Sequence, residues 1–190
     1  SDVEGAYQLI FPFSNGVIIN VGTGVICLAK NNKKTIKIAG KGHYSSDKGS
    51  GFWIGKELLL RISSNDLSDF GQHDIEECIK IIIKNSDYKD LDGAFKYYAD
   101  LVQGVSRTAN LAGIMMDNLN NEIIFNIIQE ATIYIGQYII EIYDLLNFNQ
   151  GDLIIGGCGS IMKNDVFRDL VEQTLSFEYN NINWLFSNLS

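Results

Sequence analysis

Gly40-Lys41-Gly42-His43-Tyr44-Ser45-Ser46-Asp47-Lys48-Gly49-Ser50-Gly51-Phe52-Trp53-Ile54-Gly55 is the stretch around which the chain can be read. Five of its sixteen positions are glycine, and His43, Ser45, Ser46, Asp47 and Ser50 crowd donors and acceptors between them. Glycine lets a backbone turn sharply and approach a ligand closely, so this composition predicts a loop that grips a small polar molecule. Its second half changes character: Trp53, Ile54, Leu58, Leu59 and Ile62 recur at helical spacing, and Ser50 stands where an N-cap belongs. The loop is therefore expected to end on a helix N-terminus, a place suited to anionic or hydroxyl-bearing groups.

Upstream of the loop, residues 17–21, 25–29 and 35–39 read as three β segments. The connections, Gly22-Thr23-Gly24 and Asn31-Asn32-Lys33-Lys34, are short enough for hairpins, which predicts an antiparallel meander. A Gly-Thr-Gly turn can present N–H groups and a hydroxyl to a phosphate, and it can equally be a tight turn with no ligand. Downstream, residues 75–84, 91–102 and 105–116 read as helices, the last carrying the small residues Ala109, Ala112 and Gly113. The longest periodic stretch is 121–146, predicted as a buried or interface helix that crosses the sheet. A short apolar strand at 152–155 then runs into Gly156-Gly157-Cys158-Gly159-Ser160, with an amphipathic helix at 164–175 and a last strand at 182–186. Strand, glycine turn and helix is a layout that often cradles a nucleotide.

Composition excludes several classes of function. The 190 residues are 46% hydrophobic with a net charge of -8, so there is no basic stripe to displace counterions from nucleic acid. The apolar runs are short and interrupted by polar residues, which predicts no membrane span, and no basic-then-apolar start reads as a signal peptide. Cys27, Cys78 and Cys158 are odd in number and far apart, which fits reduced thiols in a cytoplasmic protein and no metal site.

In order, these features resemble the C-terminal lobe of the N-acetylglucosamine kinase and BadF-type ATPase family, within the actin-like ATPase superfamily. The resemblance runs from Asp2 to about Leu175 and is most specific at Gly42, His43, Asp47, Gly49, Ser50, Trp53 and Ile54. It implies an α/β, ribonuclease H-like lobe: a mixed sheet with an antiparallel meander covered by helices, and a helical insertion at about 56–102. It implies ATP with Mg2+ and an amino sugar as substrates. Asp2 would be the base that accepts the proton of the acceptor hydroxyl. Gly40, Lys41, Gly42, His43 and Asp47 would hold the sugar, Gly22, Thr23 and Gly24 the phosphates, and Ala112, Gly156, Gly157 and Gly159 the adenosine. A homodimer is a further expectation, with the helical insertion either at its interface or beside the sugar cleft.

Several residues depart from the family pattern. Lys41 stands where such kinases carry Trp, which replaces an apolar platform by a charge and favours an anionic or less acetylated sugar. Lys48 replaces an acidic residue, Ser46 a glycine, and Val25 a hydroxyl-bearing residue beside the phosphate turn. The first phosphate motif of the superfamily, on a β-hairpin of the N-terminal lobe, has no counterpart in these 190 residues. The expectation is a C-terminal lobe that binds nucleotide weakly and does not turn over alone. Two other readings stay open: an ATPase activator of a reductase or dehydratase, and a sugar-binding module without catalysis.

Overall fold

The computed structural model describes residues 2–12, 14–31, 34–42, 47–64, 67–146 and 152–186. The meander forms as expected, as β1 (Gly16–Val21), β2 (Val25–Asn31) and β3 (Lys34–Ala39). Two parallel strands, β4 (Asp152–Cys158) and β5 (Asn181–Phe186), extend it on the other side of β1 to give the order β3-β2-β1-β4-β5. β1 reads as an apolar run, interrupted at Asn20, because both of its faces are covered. Val17, Ile19 and Val21 face one side with Cys27 and Ala29, whereas Ile18 and Leu28 face the other.

The first face is covered by α6 (Glu122–Leu146), whose Ile124, Ile127, Ile128, Ala131, Ile135, Ile139 and Ile142 are buried at spacings of three and four. This 25-residue helix is long and apolar enough to cross a membrane by length and composition, contrary to the sequence expectation. In the fold, half of its most apolar window is buried, against the sheet, α2 (Gly51–Ser64) and α7 (Asp165–Leu175). Between α2 and α6 the chain forms α3 (Gln72–Lys84), α4 (Leu91–Tyr98) and α5 (Gly104–Met116).

The second face is covered by α1 (Asp2–Ile10), a helix absent from the sequence reading, which packs Val3, Tyr7 and Phe11 on Ile18 and Leu28. Lys37 of β3 pairs with Glu4 at 2.7 Å and holds that exposed carboxyl down at about 2. This ion pair sets the first turn of α1 over the β3 side of the sheet. Two further expectations are corrected. The helix from Leu91 ends at Tyr98 because the Asp100 carboxylate accepts from the Val102 and Gln103 amides (2.9 and 2.7 Å) and starts a new turn. β4 does not stop at Ile155 but continues through Gly156 and Gly157, paired to Ile18 and Ile19 on one side and Leu185 and Phe186 on the other.

β3 ends on a left-handed corner, with Ala39 at φ 61° and Gly40 at φ 69°. A Cβ at that φ costs about 1 kcal/mol or more. Ala39→Gly is expected to raise stability by roughly 0.5 kcal/mol after the extra freedom of glycine in the unfolded chain is subtracted. Urea denaturation of the two proteins checks this.

Candidate functional site

The Gly22-Thr23-Gly24 turn joins β1 to β2, and the start of α2 fixes its direction. Gly51 N–H donates to the Gly22 carbonyl at 2.7 Å and Phe52 N–H donates to the Thr23 carbonyl at 3.1 Å. Ser50 caps the same helix, its Oγ accepting from Trp53 N–H at 3.2 Å. The helix terminus that the sequence offers to a ligand is therefore occupied by the turn and the cap. The effect on the turn is nevertheless favourable to binding. In a trans peptide the N–H points opposite to the preceding C=O. With both carbonyls drawn into α2, the N–H groups of Thr23 and Gly24 point away from the helix, and neither has a partner among the described residues. Two adjacent outward amides make a concavity for an anion, and the exposed Thr23 hydroxyl stands beside them.

These amides open on a cavity of about 330 Å³ lined by Asn20, Gly22, Thr23, Gly24, Val25, Ile26, Gly40 and Asp47. Asp47 is 5% exposed, and its Oδ1 accepts from the Gly40 N–H at 3.1 Å. That bond ties the buried carboxylate to the corner after β3 and holds it in the same cavity wall as the Gly22-Thr23-Gly24 turn. A Cβ on Gly40 would meet Ile26 at 3.0 Å, and the positive φ adds to the demand for glycine there. Lys41 and Gly42 follow on the exposed surface. His43 lies outside the described residues. So does the side chain of Asp2, although its backbone opens α1, two residues before the Glu4 that pairs with Lys37. Apart from Asp47, no carboxylate lines this cavity among the described residues.

A second, smaller cavity of about 170 Å³ lies between α5 and the turn after β4, lined by Ala109, Asn110, Gly113, Met116, Ser160, Ile161 and Asn164. Ala112 is fully buried behind it. Gly156 and Gly157 do not line it; they are buried in β4. A Cβ on Gly156 would meet Ile10 and Ile18 at 3.1 Å, and one on Gly157 would meet Phe186 at 2.5 Å. Gly159, at φ 88°, is the close approach, with a Cβ position 2.3 Å from the Val21 carbonyl and 2.5 Å from Asn20 Oδ1. Ile161 N–H also donates to the Val21 carbonyl, at 3.0 Å, so the β4–α7 turn is tied to the end of β1 just before the Gly22-Thr23-Gly24 turn. The Gly22-Thr23-Gly24 turn thus lines the first cavity and the β4–α7 turn the second, and Val21 joins the two turns. Sequence reasoning missed Asn20, Asn110, Ser160 and Asn164 as lining residues. Asn20, a polar break in the run Val17-Ile18-Ile19-Asn20-Val21, was the readable signal.

The remaining reactive groups lie elsewhere. His73, Asp74 and Glu77 on α3 place ligand atoms within 4.8 Å of one another, a geometry that could hold a cation, but α3 lines neither cavity. The cysteines are scattered over β2, α3 and the end of β4 and belong to no such cluster among the described residues. Burial pushes the Cys158 thiol up to about 11, Cys78 up to about 12 and Cys27 higher still. An unfolded thiol ionises near 9, so above that pH the unfolded chain sheds protons that the native one keeps. Stability is expected to fall as pH rises from 9 to 11, and native thiols to resist an aromatic disulfide reagent at pH 7.5, as denaturation curves and thiol titration will show.

No family model matches this sequence, and no curated protein matches it. Solved structures do match its fold. A protein from Chromobacterium violaceum assigned as an N-acetylglucosamine kinase superposes with a TM-score of 0.73 over 98% of this chain, at 15% identity. One from Porphyromonas gingivalis with the same assignment gives 0.70 over 96%, at 14% identity. A ROK family glucokinase from Streptomyces griseus, solved with glucose and AMPPNP, gives 0.51 over 93%, at 12% identity. The chain spans 60% of the length of the first two and 56% of the third. It therefore shares the α/β fold of these proteins, a mixed sheet with an antiparallel meander covered by helices, as expected.

Proposed function

We propose that this chain is the sugar- and adenosine-holding lobe of an ATP-dependent sugar kinase that acts on an amino sugar or a related sugar. The observation that supports the reading is the cavity whose wall holds both the Gly22-Thr23-Gly24 turn, with its outward amides, and the Asp47 carboxylate. Transfer of a phosphoryl group needs positioning and charge neutralisation more than covalent help. ATP supplies the phosphoryl group. The Thr23 and Gly24 N–H groups and the Thr23 hydroxyl hold its phosphates, and the cavity beside Asn110 and Ser160 takes the adenosine. Asp47 accepts hydrogen bonds from sugar hydroxyls, in a form suited to a carboxylate. Asp2 orients the acceptor hydroxyl and takes its proton. Lys41 on the exposed rim of the sugar loop adds a positive charge, which favours a sugar carrying an anionic group.

A second lobe must grip the phosphates from the other side, so the 190-residue chain is expected to bind and not to turn over. Isothermal titration with MgATP, N-acetylglucosamine, glucosamine, N-acetylmannosamine and glucose, beside a coupled ADP-release assay, tests this. Weak binding of nucleotide and of one sugar without ADP release is the expected result. Binding of neither overturns the reading, and ADP release by the chain alone overturns the need for a second lobe. The activator reading gains nothing from the cysteines, which converge on no common point.

A further inference from the structure

A cavity of about 460 Å³ that shares no lining residue with the two described above lies between α2, α4 and α5, with Phe52, Leu59, Phe95, Tyr98 and Val105 in its wall. Its volume is on the scale of small-molecule sites, which are mainly apolar with a few placed polar groups. The charged residues in the wall are Lys56 and Asp100. Asp100 is committed to its own backbone, since its Oδ1 accepts from the Val102 and Gln103 amides. The neighbouring carboxylate, Glu57, lies near Glu130 of α6 and is shared among the cations Arg61, Lys56 and Lys48. Lys56 is half-buried and has no hydrogen-bond or ion-pair partner among the described residues. The Tyr98 hydroxyl is turned out of the cavity, donating to the Asn85 carbonyl at 3.0 Å, so its ring presents an apolar surface.

An ammonium that no anion among the described residues hydrogen-bonds or ion-pairs, set in an apolar concavity, is the complement of a ligand with an acid group on a flat apolar body. We propose that this cavity is a second binding site, for a small amphipathic anion whose apolar body packs on Phe52, Phe95 and Tyr98 and whose acid group accepts from Lys56 Nζ. Binding there is independent of sugar phosphorylation. A concave pocket of this size favours a small molecule over a second copy of the chain, although Leu101 and Val102 at its corner are 102% and 89% exposed.

The probe is 8-anilinonaphthalene-1-sulfonate, with the uncharged N-phenyl-1-naphthylamine as its neutral counterpart, each titrated by fluorescence into the folded 190-residue chain. The anion is expected to bind at one saturable site, about tenfold more tightly than the neutral dye, the scale of one charge-assisted hydrogen bond. Lys56→Met, which keeps the apolar stem, should remove that tenfold preference and leave the neutral dye unchanged. Val105→Trp should fill the cavity and abolish both signals, with near-UV circular dichroism and the thermal midpoint reporting that each variant folds. Equal affinity for the two dyes, a preference that survives in Lys56→Met, or binding that survives in Val105→Trp overturns the proposal. A dimer by sedimentation that excludes the dye also overturns it, and assigns the groove to a second copy.

Discussion

Gly55→Ala is expected to destabilise the fold by about 3 kcal/mol, at the upper end of what overpacking costs, and to lower the thermal midpoint by roughly 10 °C for a chain of this size. A Cβ at that position would lie 2.0 Å from the Thr108 carbonyl oxygen and 2.9 Å from its carbon. The obstacle is backbone, so no rotamer change relieves it, and α2 must move away from α5 by about 1 Å to restore ordinary contact. Movement of α2 would also draw Gly51 and Phe52 from the Gly22 and Thr23 carbonyls, so the same variant should weaken nucleotide binding. Gly5→Ala is the control. Gly5 sits in α1 with nothing within 4 Å of its would-be Cβ, and alanine there should add about 0.5–1 kcal/mol. Chemical denaturation of the two variants decides the matter, and a Gly55→Ala protein within about 0.5 kcal/mol of the parent would show that the crossing is compliant.

The second large effect concerns Asp47. On the proposed sugar role, Asp47→Ala should lower sugar affinity about 100-fold, which corresponds to two hydrogen bonds to a charged acceptor at about 1.5 kcal/mol each. It should also cost about 1–2 kcal/mol of stability, because the Gly40 amide loses its acceptor and the left-handed corner at Ala39 loses its tie. Asp47→Asn separates the two roles, since its amide oxygen can still accept from Gly40 while the charge is gone. That variant is expected to keep parental stability and to bind sugar about tenfold more weakly. If Asp47→Ala loses stability and binds every sugar as the parent does, the carboxylate serves the loop alone.

Local pattern carried most of the architecture. The meander, α2, α6, α7 and β5 stand where periodicity and turn chemistry set them, because each buries a stripe that its own sequence displays. α1 was missed although Val3, Tyr7, Ile10 and Phe11 repeat at helical spacing. Nine residues make a marginal helix in isolation, and this one is held by Ile18 and Leu28, which lie beyond any local window. Gly156 and Gly157 read as a turn for a related reason. They are glycine because Ile10, Ile18 and Phe186 occupy the space a Cβ would take, and those neighbours come from three distant elements. At the site, Gly22, Thr23, Gly24, Gly40 and Asp47 were legible by resemblance, and the structure gathers them in one cavity. The outward turn of the Thr23 and Gly24 amides was not legible, since it follows from hydrogen bonds that reach almost thirty residues along the chain, to Gly51 and Phe52.

Those two hydrogen bonds also bear on the calorimetry of binding. A phosphate turn already fastened to a helix before any ligand arrives has lost its backbone freedom during folding, so that entropy does not reappear as a cost of association. On the proposed reading, nucleotide binding to this chain should accordingly show a small heat-capacity change, set by the modest surface of the two cavities, without the large negative value that marks coupled folding.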